Sequence, residues 1–165
     1  MESSYFRTVL GYSYWARDRI LAQVAKVSQE DYTAAPWLDY SSMRATLVHG
    51  LGSEAGYLAR WQGGERDASI NEEGLPTFAA LRDRWTAEQA KMQAFLASLT
   101  DADTEREIRQ LSRATGQETS SPLWALMTQC VNHATQHRSE VALMLTQLGH
   151  SPGDMDFSLY MREQK

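Results

Sequence analysis

Residues 123–149 read LWALMTQCVNHATQHRSEVALMLTQLG, a stretch rich in apolar side chains and free of internal proline. Ser121 and Pro122 stand just before it, in the N-cap and first helical positions that helices favour. Gly149 is a natural C-terminal stop. The stretch therefore predicts a long helix that begins after Ser121 and buries much of its surface against other elements.

Three earlier segments show the same helical period, over about 4–27, 42–62 and 77–99. Each carries an apolar stripe that one face of a helix would bury. The stripes are Phe6, Leu10, Tyr14, Ile20, Leu21 and Val24; Met43, Leu47, Leu51, Leu58 and Trp61; and Phe78, Leu81, Trp85, Met92, Phe95, Leu96 and Leu99. With the segment that follows Ser121, they predict an all-α four-helix bundle.

The joints between these segments carry their own signals. A loop with Pro36 precedes the second segment, for which Ser41 and Ser42 are both N-cap candidates. Thr77 is the N-cap candidate of the third segment, and Gly63-Gly64 is a plausible stop for the second.

The connection over 100–120 is long for a bundle and permits parallel neighbouring helices, so a simple up-down-up-down order is not assured. It allows a short hairpin over one end of the bundle, with a turn at 114–117. After Gly149 we expect the stretch SPGDMDF (151–157) to form a tail. Within the second segment, Gly50, Gly52 and Gly56 indicate either a closely packed helix or a bend.

Composition limits the class of protein. The chain has 165 residues, 42% of them hydrophobic and 22% charged, which is typical of one soluble globular domain over residues 1–165. A net charge of −5 with no run of Arg or Lys predicts no nucleic-acid partner. No window reaches the roughly 18 apolar residues of a membrane span, so no membrane partner is expected. The single cysteine, Cys130, fits a reducing cytoplasm.

Three histidines are candidate metal ligands. His133 and His137 are four residues apart, so both imidazoles lie on one face of the fourth helix and can share an ion. Two buried protonated imidazoles would repel each other, and neutral ones would need hydrogen-bond partners. His49, on the second helix, could join them inside a bundle. Spacing alone leaves open that all three are ordinary core or surface residues.

Longer stretches resemble the DinB/YfiT-like family of metal-binding four-helix bundles. The resemblance lies in YSYWARDRILAQV (12–24), SSMRATLVHGLGSEAGYLARW (41–61) and NHATQHRSEVALMLTQLGHSPGDMDF (132–157). Residue by residue, it places the family's three metal ligands on His49, His133 and His137. The family often continues its last histidine with Arg-Gly-Gln, where this chain has Arg138-Ser139-Glu140. This departure follows the ligands and leaves the triad intact.

The resemblance also implies a function. The family is similar in fold to metal-dependent enzymes that transfer a low-molecular-weight thiol to a small electrophile, so we expect a divalent metal cofactor, a thiol cosubstrate and a small-molecule substrate. Zinc or nickel suits three nitrogen ligands and leaves a position for water or substrate. Family members commonly form dimers, which implies a homodimer. A metal-dependent hydrolase, a non-enzymatic metal-binding stress-response protein and a metal-free bundle are the alternatives.

Other residues could take part in the site. Cys130 is three residues before the first histidine of the pair, but such a cysteine is more often a small buried hydrophobe. Glu54 is a candidate outer partner of the ligands, and Gln136 and Glu140 flank the histidine pair. Two tryptophans could line a ligand pocket, namely Trp15 and Trp61. The fourth histidine, His150, is expected at the surface.

Overall fold

A computed structural model of the chain describes residues 1–34, 42–111 and 116–165. In chain order the described elements are α1 (Ser3–Val24), α2 (Gln29–Thr33), α3 (Met43–Trp61), α4 (Phe78–Ser98), α5 (Asp101–Thr104), β1 (Glu107–Leu111), β2 (Glu118–Pro122), α6 (Leu123–Gln147) and α7 (Phe157–Glu163). The predicted all-α class is confirmed, and the long helices α1, α3, α4 and α6 correspond to the four predicted segments. No helix within the described ranges is long and apolar enough to cross a membrane.

The four long helices form a closed ring in which α6 packs on α1 and α3, and α4 packs on both of these helices from the other side. Two clusters of buried side chains fix the helix directions. One cluster joins the C-terminal halves of α1 and α6 to the N-terminal halves of α3 and α4, and the second joins the opposite ends. Hence α1 and α6 run parallel to each other and antiparallel to α3 and α4. The order is up-down-down-up.

The predicted apolar stripes are buried, apart from Phe78, which is partly buried against the core. Trp61 and Phe6 are among the largest fully buried side chains, with 1% and 0% of their surface exposed. Burying side chains of this size supplies roughly 1.5–3 kcal/mol each. The helical period in the sequence therefore selects the core face of every long helix.

The parallel pair α3 and α4 needs a connection that returns the chain along the bundle. Residues 62–77 make this return, and Ile70 and Leu75 anchor it in the core. A methyl group added at Gly52 would lie 2.8 Å from Arg66 Nη2 and 3.4 Å from the Ile70 carbonyl oxygen. Gly52 therefore makes room for this segment rather than for a helix. Gly50 instead faces Trp85 of α4.

The predicted helix ends are largely confirmed. Ser42 and Thr77 cap α3 and α4 with their hydroxyl groups, while the loop around Pro36 and the candidate Ser41 lie outside the described residues. Gly149 ends α6 at φ +80°, with its N–H bonded to the Thr146 carbonyl and the next N–H bonded to that of Leu145.

The predicted start of α6 is wrong by one residue. Pro122 is the last residue of β2, where it pairs with Glu107, and the helix begins at Leu123. The Leu123 N–H, which has no partner within the helix, donates to the Arg106 carbonyl at 2.9 Å. The strand therefore replaces the predicted serine cap.

The expected hairpin is present as antiparallel β1 and β2, which pair from Glu107↔Pro122 to Leu111↔Glu118. Arg106 ties it to the C-terminal end of α3 through the Trp61 carbonyl, at 3.1 Å. Residues 112–115 of the predicted turn lie outside the described part of the chain.

The tail expected over 151–157 has no regular structure as far as Asp156, and α7, which was not predicted, begins at its last residue and packs on α1. Tyr12 and Trp15 contact Tyr160, and the Trp15 indole N–H donates to Glu163 at 2.7 Å. These aromatic contacts compensate for the short length of the helix.

Candidate metal centre

Three imidazoles meet where α3 packs on α6. His49 projects from α3, and His133 and His137 project from successive turns of α6. His133 and His137 are both partly buried. His49, however, is exposed, although it follows the buried Leu47 and Val48 along the chain. Because His49 is exposed, the site is open to solvent.

The ring nitrogens that point at one another are the three Nε2 atoms. His133 Nε2 lies 3.3 Å from His49 Nε2 and 3.3 Å from His137 Nε2. Three ligand atoms within 4.8 Å of one another could hold a metal ion. Nitrogen atoms about 2.0–2.1 Å from a tetrahedral zinc would stand roughly 3.3–3.4 Å apart. The donor set and its two short separations fit such an ion.

The electrostatics of the cluster favour neutral imidazoles. Partial burial, together with the neighbouring His137 and His49, lowers the pKa of His133 to about 4. Partial burial, followed by His137 and Arg66, also lowers the pKa of His49 below its usual value. Both rings are therefore unprotonated at neutral pH, which is the form that binds metal ions.

A carboxylate orients one of the candidate ligands. Glu140, one turn after His137, lies with its Oε2 atom 2.7 Å from His137 Nδ1. With the proton on Nδ1, the ring donates to the carboxylate and keeps the Nε2 lone pair free for an ion. Gln136 donates to the other oxygen of Glu140 at 3.4 Å. Both residues that flank the histidine pair in the sequence thus belong to the surroundings of His137.

Beside the three imidazoles lies a cleft of about 610 Å³. Its floor is one face of α3, and part of its wall is the hairpin. The described lining residues are His49, Gly52, Ser53, Gly56, Tyr57, Arg60, Gly64, Glu65, Arg66, Leu111 and Thr119. The volume is within the range of small-molecule sites, so the open side of the histidine cluster faces space that a substrate could occupy.

The whole sequence, residues 1–165, matches the model of the DinB family. The chain belongs to the DinB family. No curated protein matches it at a significant level. Family membership agrees with the helical fold and with the three histidines, to which the resemblance assigned the metal ligands.

The departure from the DinB pattern now has a physical role. Where the family often has Gln, this chain has Glu140, and its carboxylate contacts His137. A carboxylate accepts the Nδ1 hydrogen bond more strongly than an amide oxygen would, because it carries a negative charge. With an ion bound, Glu140 would therefore hold His137 in its ligating orientation more firmly than Gln.

We expect Glu140→Ala to weaken zinc affinity by about 10–100-fold, the usual cost of losing such a partner. Glu140→Gln, which restores the common DinB residue, should cost less because an amide oxygen still accepts from Nδ1. Competition with a chromophoric chelator measures both affinities. Asn132→Ala, an exposed change next to His133, is the control. An unchanged affinity in Glu140→Ala would contradict the assigned role.

Glu54 does not contact the ligands in this DinB chain. It is buried on the core side of α3, where its oxygens accept from the Tyr14 hydroxyl at 3.0 Å and the Trp85 indole N–H at 3.3 Å. Burial raises the pKa of Glu54, and Arg17 and then Arg138 oppose that rise. It therefore belongs to a polar cluster of the core. The sequence did not predict that the members of this cluster lie together.

The remaining candidates are outside the cleft. Cys130 is buried, and burial raises the pKa of its thiol well above the usual value, as expected of a small buried hydrophobe. Trp61 packs against Phe95 in the core, and Trp15 packs on α7, so neither lines the cleft. The aromatic residue that does is Tyr57, whose ring lies 6.0 Å from that of His133. Its signal in the sequence was its position eight residues after His49, on the same helix face.

Proposed function

We propose that this chain transfers a low-molecular-weight thiol to a small electrophilic molecule, using a divalent ion held by His49, His133 and His137. One observation carries the proposal: three Nε2 atoms converge beside an open cleft, which His49 lines. A buried structural site would be closed by a fourth protein ligand, whereas this cluster has three among the described residues and lies beside open space.

A divalent ion on neutral imidazoles supplies Lewis acidity, which lowers the pKa of a bound thiol or water. Thiols have an ordinary pKa near ~8.5, so a modest lowering yields the thiolate at neutral pH. The three histidines hold their lone pairs toward one point, and Glu140 keeps the proton of His137 on Nδ1. During transfer, the thiol proton passes to solvent, sulfur bonds to the electrophilic carbon, and the leaving group departs with its electron pair.

The acid–base groups around the cleft favour thiol transfer over hydrolysis. Activation of water in a metal site usually uses a general base beside the ion. Among the described residues that line the cleft, Glu65 is the only carboxylate, and it is exposed. Glu140 is engaged with His137. A thiol needs no such base, because it is far more acidic than water.

The test is a screen of zinc-loaded and nickel-loaded protein with a panel of small thiols and the electrophile 1-chloro-2,4-dinitrobenzene. The absorbance of the thioether product measures turnover. We expect turnover that requires both the thiol and the ion, and its loss in His133→Ala. Turnover of ester or amide substrates in water alone would favour a hydrolase. No turnover across either panel would favour a non-enzymatic metal-binding protein.

Zinc and nickel are both proposed because either ion accepts three nitrogen ligands. The homodimer stays a prediction, which light scattering of the purified protein checks.

A further inference from the structure

One face of α3 forms the floor of the cleft from its metal end to its far end. His49, Gly52, Gly56 and Arg60 follow one another at three- or four-residue steps, so they share this face. The two glycines are buried and provide no side chain. The floor is therefore a shallow groove, with the candidate metal centre at one end and a guanidinium at the other.

The side chain of Arg66 lies across this groove. Its Cγ and Cδ atoms would lie 3.6 Å from a methyl group at Gly56, and its Nη2 would lie 2.8 Å from a methyl group at Gly52. The Arg66 guanidinium thus lies at the level of residue 52, one helical turn, roughly 5 Å, from His49 along α3. Its effect on the pKa of His49 agrees with this proximity.

The charge of the cleft is positive. Among the described lining residues, Arg60 and Arg66 carry positive charge and Glu65 alone carries negative charge, before any ion is counted. Arg60 is stacked over the Tyr57 ring, with 4.9 Å between its Cζ atom and the ring centroid. In the part of the chain that the structure describes, Arg66 forms no ion pair and no side-chain hydrogen bond. Its planar fork of N–H groups remains available to an oxyanion.

We propose that the cleft binds a small carboxylic acid, with the carboxylate on Arg66 and the reactive end of the molecule at the three histidines. Arg60 adds positive charge further along the groove. The single helical turn between Arg66 and His49 limits the ligand to a few bonds between carboxylate and reactive atom. Only the identity of the reactive end depends on the proposed thiol transfer. The contact between the carboxylate and Arg66 does not depend on it, because binding can be measured without turnover.

The test compares two probes of the same shape, 3-mercaptopropionate and its neutral amide, by calorimetric titration into the zinc-loaded protein. We expect the acid to bind about tenfold more tightly than the amide, as for one charge-assisted contact. Arg66→Gln should remove most of this preference without changing zinc content. Arg82→Gln is the matched control, because Arg82 pairs with Asp83 on α4 and does not line the cleft.

A second pair of variants tests the groove itself. Gly52→Ala places a methyl group against the Arg66 guanidinium and should weaken the acid preference, whereas Gly56→Ala makes only ordinary contacts and should keep it. Both replace glycine by a better helix former, so neither should unfold the protein.

Wild-type protein without a preference for the acid, or Arg66→Gln with the full preference, would overturn the proposal. Preferential binding of the acid without any thiol transfer would instead contradict only the proposed function.

Discussion

Replacing His133 with alanine is expected to lower zinc affinity by at least about a hundredfold, the largest effect of any single change at the site. His133 Nε2 is 3.3 Å from both other Nε2 atoms, so it occupies the centre of the ligand set. Without it, His49 and His137 remain as two ligands on different helices. With only two ligands, more conformational entropy is lost for each bond to the ion, so binding is weaker.

The measurement is competition with a chromophoric chelator on protein produced without a histidine tag. His49→Ala and His137→Ala should also lose most of their affinity, and His150→Ala should not, because His150 lies after the end of α6 and does not line the cleft. Circular dichroism checks that each variant keeps its helices. Undiminished zinc binding by His133→Ala would rule out the triad.

Replacing Glu54 with alanine is expected to lower the free energy of unfolding by about 3 kcal/mol, without removing any ligand of the metal. The change leaves the Tyr14 hydroxyl and the Trp85 N–H without their acceptor in the core. It also removes the buried negative charge that interacts with Arg17 and Arg138. A buried donor that loses its partner costs more than the hydrogen bond contributed.

Chemical denaturation of the metal-free protein measures this effect. Glu54→Gln keeps the size of the side chain and one acceptor oxygen, so its loss should be smaller, about 1–2 kcal/mol. Glu73→Ala, an exposed change between α3 and α4, is the control and should alter stability by less than about 0.5 kcal/mol. If Glu54→Ala were as stable as the control, the polar cluster would have no structural role.

The sequence predicted the four long helices because their apolar stripes are long and regular, as with Phe6, Leu10 and Tyr14 on α1. It predicted His133 and His137 on one face because helical geometry alone places residues four apart together. His49 is different. Its proximity to the pair depends on how α3 packs on α6, and only the family resemblance indicated it beforehand.

Features that depend on tertiary contacts could not be predicted from the sequence. The core role of Glu54 requires Tyr14 and Trp85, which come from two other helices. The groove requires the Arg66 side chain to lie over Gly52, and no local sequence pattern predicts that contact. α7 was missed because a seven-residue helix is stable only through its packing on α1.

The most direct test of the metal centre is a crystal of untagged protein grown with zinc, with anomalous diffraction recorded at the zinc edge. We predict one anomalous peak per chain, about 2.0–2.1 Å from the Nε2 atoms of His49, His133 and His137. The absence of a peak between these three atoms in fully zinc-saturated crystals would contradict the account.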